Sequence, residues 1–393
     1  MIIKILELLL LLLLFLFPLA LVISITLVGV LIYAGATAFL LLIILNPKNF
    51  FQNFKTDYID SAFLIYIAAF TVSKFINSGV DDAVNAFCRT SQDFFVFIWA
   101  SYVVSRSSKN KNLISNALLF AALITVLYGV FQYFHFDPFG RQSNPDRLSG
   151  FHKNPYTYAG QLIVFFFYLL NYVKEKNSLL LMIPLLMMSV FCIVNTAQRA
   201  VMIGVLIGFV VYLAIIKFKI ADLAKLVALV SLPVVFTVCL SKKILLRIKK
   251  TIFQGFLLGK NPRFKLWGIG FSVWKRNLLF GAGKFPPVYH ELAGKNTYQL
   301  LTHAHNVYLQ ILVVNGIVGL VAFINLFLSI FQRLVADFKI NKYAPNLMCI
   351  IIAFLIEGIF EYFWGDSEVR YLLLFFTGYV LAYIRQKDDF CNN

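Results

Sequence analysis

The chain has 393 residues, 60% of them hydrophobic and 13% charged, with a formal net charge of +17. So large an apolar share excludes a soluble domain of this length, and runs of roughly 18 or more apolar residues, each able to cross a hydrocarbon core of about 30 Å, recur along it. A spanning β-barrel is excluded too, because it would show short alternating segments instead of continuous runs.

In chain order, residues 5–45 are apolar throughout, enough for two spans with a break near Pro18 to Ser24. The first run has only Lys4 ahead of it and no small-residue cleavage site, so it reads as a retained span. Further spans are predicted at about Tyr58 to Phe75, Phe94 to Val104, Leu113 to Phe134, Tyr158 to Val173, Leu179 to Val194, Val201 to Ile216 and Leu226 to Leu240. Three more follow, at about Asn306 to Phe331, Leu347 to Phe363 and Tyr371 to Ile384. The expectation is an all-α polytopic membrane protein of about twelve spans.

Short Lys/Arg-rich loops mark the cytoplasmic side. The clusters at 48–55, 106–111, 174–176, 217–225, 333–342 and 385–387 all fall on one side in this count, which puts both termini in the cytoplasm. The loops at 77–93, 135–157, 195–200, 241–305 and 364–370 then lie outside. The chain divides into residues 1–240 with nine spans, the large loop 241–305 before the tenth, and residues 306–393 with the last three spans. That loop carries twelve basic residues against one acid, Glu291. Positive charge so concentrated on the outer face suits a polyanionic ligand or an anionic membrane surface.

Few motifs carry chemistry. The five cysteines, Cys88, Cys192, Cys239, Cys349 and Cys391, are scattered and show no CxxC spacing, which argues against a zinc site or a disulfide framework. There is no Walker P-loop, no H-E-x-x-H and no D-x-D pair. His305 ends the basic loop at the mouth of the tenth span; it suits a general base, or else a polar helix cap, a task Asn306 also fits. His303 and His305, with His290 and Glu291, form a weak metal-ligand pattern. Arg263, Arg199 and Arg147 suit anion recognition through the planar guanidinium, against the plainer readings of an amphipathic surface or snorkelling. Gly150, Asn154 and Pro155 suit a turn and a helix entry, with His152 and Lys153 as lesser candidates for contact. Glu357 and Glu361, four apart on one predicted helix, are suspects as acids inside a span, with Arg199 or Arg370 as expected structural partners.

His305-Asn306, nine residues, Gly316, two residues and Gly319 resembles the histidine motif of bacterial O-antigen ligases. Their superfamily also holds O-antigen polymerases and protein O-oligosaccharyltransferases. N-P-R-F-K-L-W-G-I-G, with Arg263 and Trp267, resembles the family's loop segment, T-A-Q-R-A its arginine turn, and R-L-S-G-F-H-K-N-P its R-x-x-G-x-x-x-N-P segment. The resemblance implies a glycosyltransferase of the bacterial inner membrane with its active site facing the periplasm. It would move a polysaccharide from undecaprenyl diphosphate to a sugar hydroxyl of lipid A-core in lipopolysaccharide biosynthesis. His305 would be the general base, and Arg199, Arg263 and Arg147 would hold the diphosphate. Asn306, Gly316, Gly319, Trp267 and His303 would support them. Inversion without metal or cofactor is expected, with membrane lipids as surroundings and no nucleic acid as partner. A polymerase or a protein O-oligosaccharyltransferase keeps the chemistry and changes the acceptor. A flippase of lipid-linked glycan is the alternative outside enzymology.

Overall fold

The computed structural model describes residues 1–53, 56–171, 179–216, 220–240, 262–292, 297–338 and 341–391. Helices dominate them: α1 Ile2–Ile23, α2 Ile25–Leu45, α3 Pro47–Asn53, α4 Tyr58–Ser78, α5 Val80–Ser105, α6 Ser108–Tyr133 and α7 Pro155–Leu170. There follow α8 Leu179–Asn195, α9 Arg199–Ile215, α10 Ile220–Leu240, α11 Pro262–Lys275, α12 Val307–Ala336, α13 Ala344–Glu357 and α14 Ser367–Cys391. One antiparallel hairpin, β1 Val288–Leu292 with β2 Thr297–Leu301, precedes α12. Each predicted span overlaps a helix, although the eleventh, expected to reach Phe363, leaves its helix at Glu357. Five of these, α1, α2, α4, α6 and α12, are long and apolar enough to cross a membrane, and α7, α9 and α13 are shorter apolar helices.

Two boundaries differ from expectation, while the break in the first apolar run falls within the expected stretch. The first apolar run breaks at Ser24, whose extended backbone separates α1 from α2; Pro18 stays inside α1. The fourth span begins at Val80, far ahead of Phe94, because Gly79 (φ +91°) turns the chain and Asp81 and Asp82 then occupy the favourable acidic first turn of α5. Most of the expected 77–93 loop is therefore helix. Glu357 and Glu361 do not share a helix face: α13 ends at Glu357, and the chain turns through Gly358 to Phe360.

At the centre stands α7, buried from Thr157 to Leu170, as an all-round apolar helix must be. α14 packs on α5, α13 on α9, and α12 on α4. Some buried polar side chains tie helices together: Gln161 donates to the Leu21 carbonyl (2.8 Å) and Asn341 to that of Val380 (2.7 Å). Outward faces are apolar, with Leu8, Leu12, Leu40, Ile44, Leu206 and Val210 exposed. Such a surface is satisfied by lipid, and the chain is a multi-pass membrane protein.

Candidate functional site

His305 sits just before α12 with a left-handed backbone (φ +47°), an uncommon conformation for a residue with a side chain. Its neighbours hold it there. Asn306 caps α12, accepting from the Leu309 amide (2.8 Å), while its amide nitrogen donates to the Ile359 carbonyl (2.9 Å). The Val307 amide donates to the Gly358 carbonyl (2.8 Å). On the other side, the Ala304 amide donates to Gln310 Oε1 (2.8 Å), and Trp267 Nε1 on α11 donates to the Ala304 carbonyl (3.0 Å). A small apolar cluster including Leu266, Phe285, Leu301 and Leu309 seats α11 against α12.

The His305 ring meets Glu361, its Nδ1 standing 2.9 Å from Oε2. The other oxygen of the same carboxylate accepts from Arg263 Nη2. Glu361 is buried, whereas Arg263 and His305 are partly open, their side chains 27% and 21% exposed. His305 also lines a cavity. The Tyr156 phenol faces the same carboxylate and lies within electrostatic range of both Arg263 and Arg147. The His303 ring lies 4.2 Å from that of His305, and burial, with the neighbouring imidazole, holds its pKa below the usual histidine value. Among the described residues no group of three metal-ligating side chains forms; the side chains of His290 and Glu291 lie outside them.

The cavity holds about 520 Å³ and is lined by Tyr156, His303, His305, Glu357, Glu361 and Asp366 among others. Arg147 and Arg199 line a different one, of about 270 Å³, whose walls are apolar: Phe166, Val190, Phe209 and Val234. The loop bearing Arg147 is fastened by Gln132, whose side chain bonds the Ser149 and Gly150 amides (3.1 and 2.9 Å), and by the Leu148 amide on the Asn195 carbonyl (3.1 Å). That tie joins it to the end of α8, next to the Arg199 turn. Gly150 (φ +59°) lies against Tyr158, where a Cβ would stand 2.3 Å from the ring, and Asn154 caps α7 ahead of Pro155. Asn154 also lines the His305 cavity. His152 bonds Gln161 (3.1 Å).

Gly316 breaks α12 (φ +67°). The backbone groups this frees are taken by the turn segment after α11: the Ala282 and Gly283 amides donate to the Val313 and Val314 carbonyls (2.7 and 3.0 Å), and the Ile317 and Val318 amides to the Leu278 and Leu279 carbonyls (3.0 and 3.1 Å). A Cβ on Gly316 would stand 2.2 Å from the Leu279 carbonyl oxygen, and one on Gly319 2.2 Å from Asn315 Cβ. Ser73 and Asn77 of α4 bond the Phe280 carbonyl from the other side (2.5 and 2.9 Å). The motif glycines thus serve the scaffold, fastening the large loop to the helix that follows His305.

Two expected pairings differ. Arg370 pairs with Asp93 (2.7 Å), deep between α14 and α5, and not with Glu357 or Glu361. Glu361, one of the two acids suspected inside a span, joins His305 and Arg263 at the site. The basic residues at 242–260 lie outside the described residues.

Residues 184–324 match the family model described as O-antigen ligase. The matched segment contains Arg199, Arg263, Trp267, His303, His305, Asn306, Gly316 and Gly319, and ends before Glu357 and Glu361. No curated protein matches the chain.

Proposed function

We propose, from the match of residues 184–324 to the family model described as O-antigen ligase, that the chain is an O-antigen ligase with about twelve spans and a periplasmic site in the bacterial inner membrane. The donor is a polysaccharide on undecaprenyl diphosphate and the acceptor a sugar hydroxyl of lipid A-core. The observation that carries this reading is the Arg263–Glu361–His305 chain of contacts at the wall of a cavity.

The polyprenyl chain lies along the apolar pocket, and Arg147 and Arg199 at that pocket take the diphosphate. Arg263 brings a third positive charge near the leaving group and holds Glu361 in place. Glu361 orients His305, whose Nε2 removes the proton of the acceptor hydroxyl. The acceptor oxygen forms a bond to the anomeric carbon as the carbon–phosphate oxygen bond breaks. Undecaprenyl diphosphate leaves with the electron pair, and the configuration inverts. No nucleophile for a covalent glycosyl intermediate is placed in this scheme, and no metal ion is required by it.

The test uses purified protein with an undecaprenyl-diphosphate glycan. Lipid A-core, a second lipid-linked repeat and an acceptor peptide are offered in turn. Transfer to lipid A-core alone is expected; transfer only to the second repeat or the peptide would make the chain a polymerase or a protein O-oligosaccharyltransferase. His305→Ala should lower the rate by about 10² to 10⁴. A folded variant that transfers at the wild-type rate would remove the histidine from the mechanism. Excess EDTA should leave the rate unchanged.

A further inference from the structure

We propose that the outward face of α11 and of the turn after it is a docking surface for anionic phospholipids, on the side of the membrane where His305 lies. The level of this segment follows from the two helices that grip it. α12 has 30 residues, whereas a crossing needs about 20. The stretch beyond the break at Gly316 meets that need alone. The first turns of α12, with His305 ahead of them, therefore stand above the hydrocarbon, and the break marks its edge. α4 agrees. It has 21 residues, a single crossing, and it reaches the same segment near its end. There Ser73 and Asn77 donate to the Phe280 carbonyl and Lys74 to that of Gly283. At the far ends of the two helices Tyr58 and Arg333 are again within electrostatic range. The crossings are thus level at both ends, and residues 278–283 lie at one boundary.

At that boundary the exposed side chains are of two kinds. Phe264 and Phe271, seven apart on one face of α11, and Leu278 and Leu279 beyond it are between 47% and 61% exposed. The other face of α11 is occupied: Leu266 is buried against α12, and Trp267 donates to the Ala304 carbonyl. The apolar patch continues onto the lipid-facing side of α12, because the Leu278 and Leu279 carbonyls accept from the amides of Ile317 and Val318, and Ile317 and Val321 are exposed. Lys265, Lys275, Arg276 and Lys284 border the patch, all exposed, and residues 262–284 contain no acid. An apolar stripe edged with cations lies in a bilayer interface, with its rings and leucines among the acyl chains and its cations on headgroup phosphates. Each basic side chain there favours an anionic over a neutral surface by about fivefold. The same helix carries Arg263, so the lipid holds from outside the guanidinium that meets Glu361 within. The surface does not depend on the reaction assigned above.

The experiment places the photoreactive residue p-benzoylphenylalanine at Phe271 in the full-length chain and, as a reference for bulk lipid, at Val321. Each protein is put into bilayers of phosphatidylcholine and phosphatidylglycerol in equal amounts with identical acyl chains, irradiated, and read by mass spectrometry. No glycan donor or acceptor is present, so the result is independent of the ligase reading. Position 271 should yield phospholipid adducts, with phosphatidylglycerol at least fivefold over phosphatidylcholine relative to the ratio at position 321. Lys275→Gln with Arg276→Gln, two exposed changes checked for an unchanged melting temperature, should keep the adducts and bring the two ratios together. Adducts at 271 with another part of the chain or with a second protein, or the absence of lipid adducts, would overturn the docking surface. So would equal ratios at 271 and 321 in the otherwise unaltered chain, or a preference that survives the loss of both cations.

Discussion

The Glu361 carboxylate meets a guanidinium on one oxygen and an imidazole on the other. Glu361→Gln keeps the shape and loses the charge. It should lower kcat by about 10- to 100-fold, the scale of a hydrogen bond to a charged group, with little change in either KM. A rate assay at saturating donor and acceptor checks it, and an unchanged kcat would leave the acid without a part in orienting His305. The sequence marked Glu361 as a suspect acid but not its partners. The partners are 56 and 98 positions away, and the four-residue spacing from Glu357 suggested a shared helix face that the turn at Gly358 abolishes. His305 and the three arginines were legible, because a charge beside an apolar run is conspicuous. Which arginine meets which partner was not, since that depends on how loops far apart in sequence fold against one another. His303 gives a pH prediction. Its folded pKa is depressed, so the unfolded chain takes up its proton first as the pH falls. The associated stability is present above about pH 6.5 and is lost as pH falls through the folded value. His303→Asn should flatten the acid side of a plot of melting temperature against pH; an unaltered slope would refute it.

Elements show where a substitution changes geometry and not chemistry. Gly316 and Gly281 face each other across the break in α12, each with positive φ and with backbone inside the space a Cβ needs. Gly316→Ala should expel the segment 278–283 and abolish transfer while leaving helix content nearly intact, as circular dichroism with an activity assay will show. Asn306→Ala removes a helix cap, a loss of about 1 kcal/mol in stability, and a larger loss of rate is expected because the same side chain anchors the His305 backbone through Ile359. A rate falling no further than stability alone explains would separate the cap from the site. The helices were legible from apolar runs. The start of α5 was not, because Asp81, Asp82, Arg89 and Asp93 interrupt its hydropathy without interrupting its helix. The hairpin and the extent of α11 lay hidden inside a loop read for its charge and for the segment around Arg263 and Trp267.

Across the whole molecule, one buried pair ties the N-terminal and C-terminal parts together. Asp93 on α5 and Arg370 on α14 are 1% and 3% exposed in their side chains, and Arg370 also donates to the Trp364 carbonyl. Removing one charge strands the other, so Arg370→Met should cost about 3–5 kcal/mol and lower the melting temperature sharply. Adding Asp93→Leu should restore much of that loss; a double variant no more stable than the single would contradict the account. Arg370 was visible in the sequence as a basic residue at the start of the last span, but its acid lay in a stretch read as loop. A last consequence follows from the ribbon at 278–283, gripped by α4 on one side and threaded into α12 on the other. Synthesis runs from the amino end, so α4 emerges first, then the ribbon, then the helix that must bend around it. The ribbon acts as a template waiting for a late arrival. An error in it will show in cells first as discarded polypeptide, before any slow enzyme can be measured.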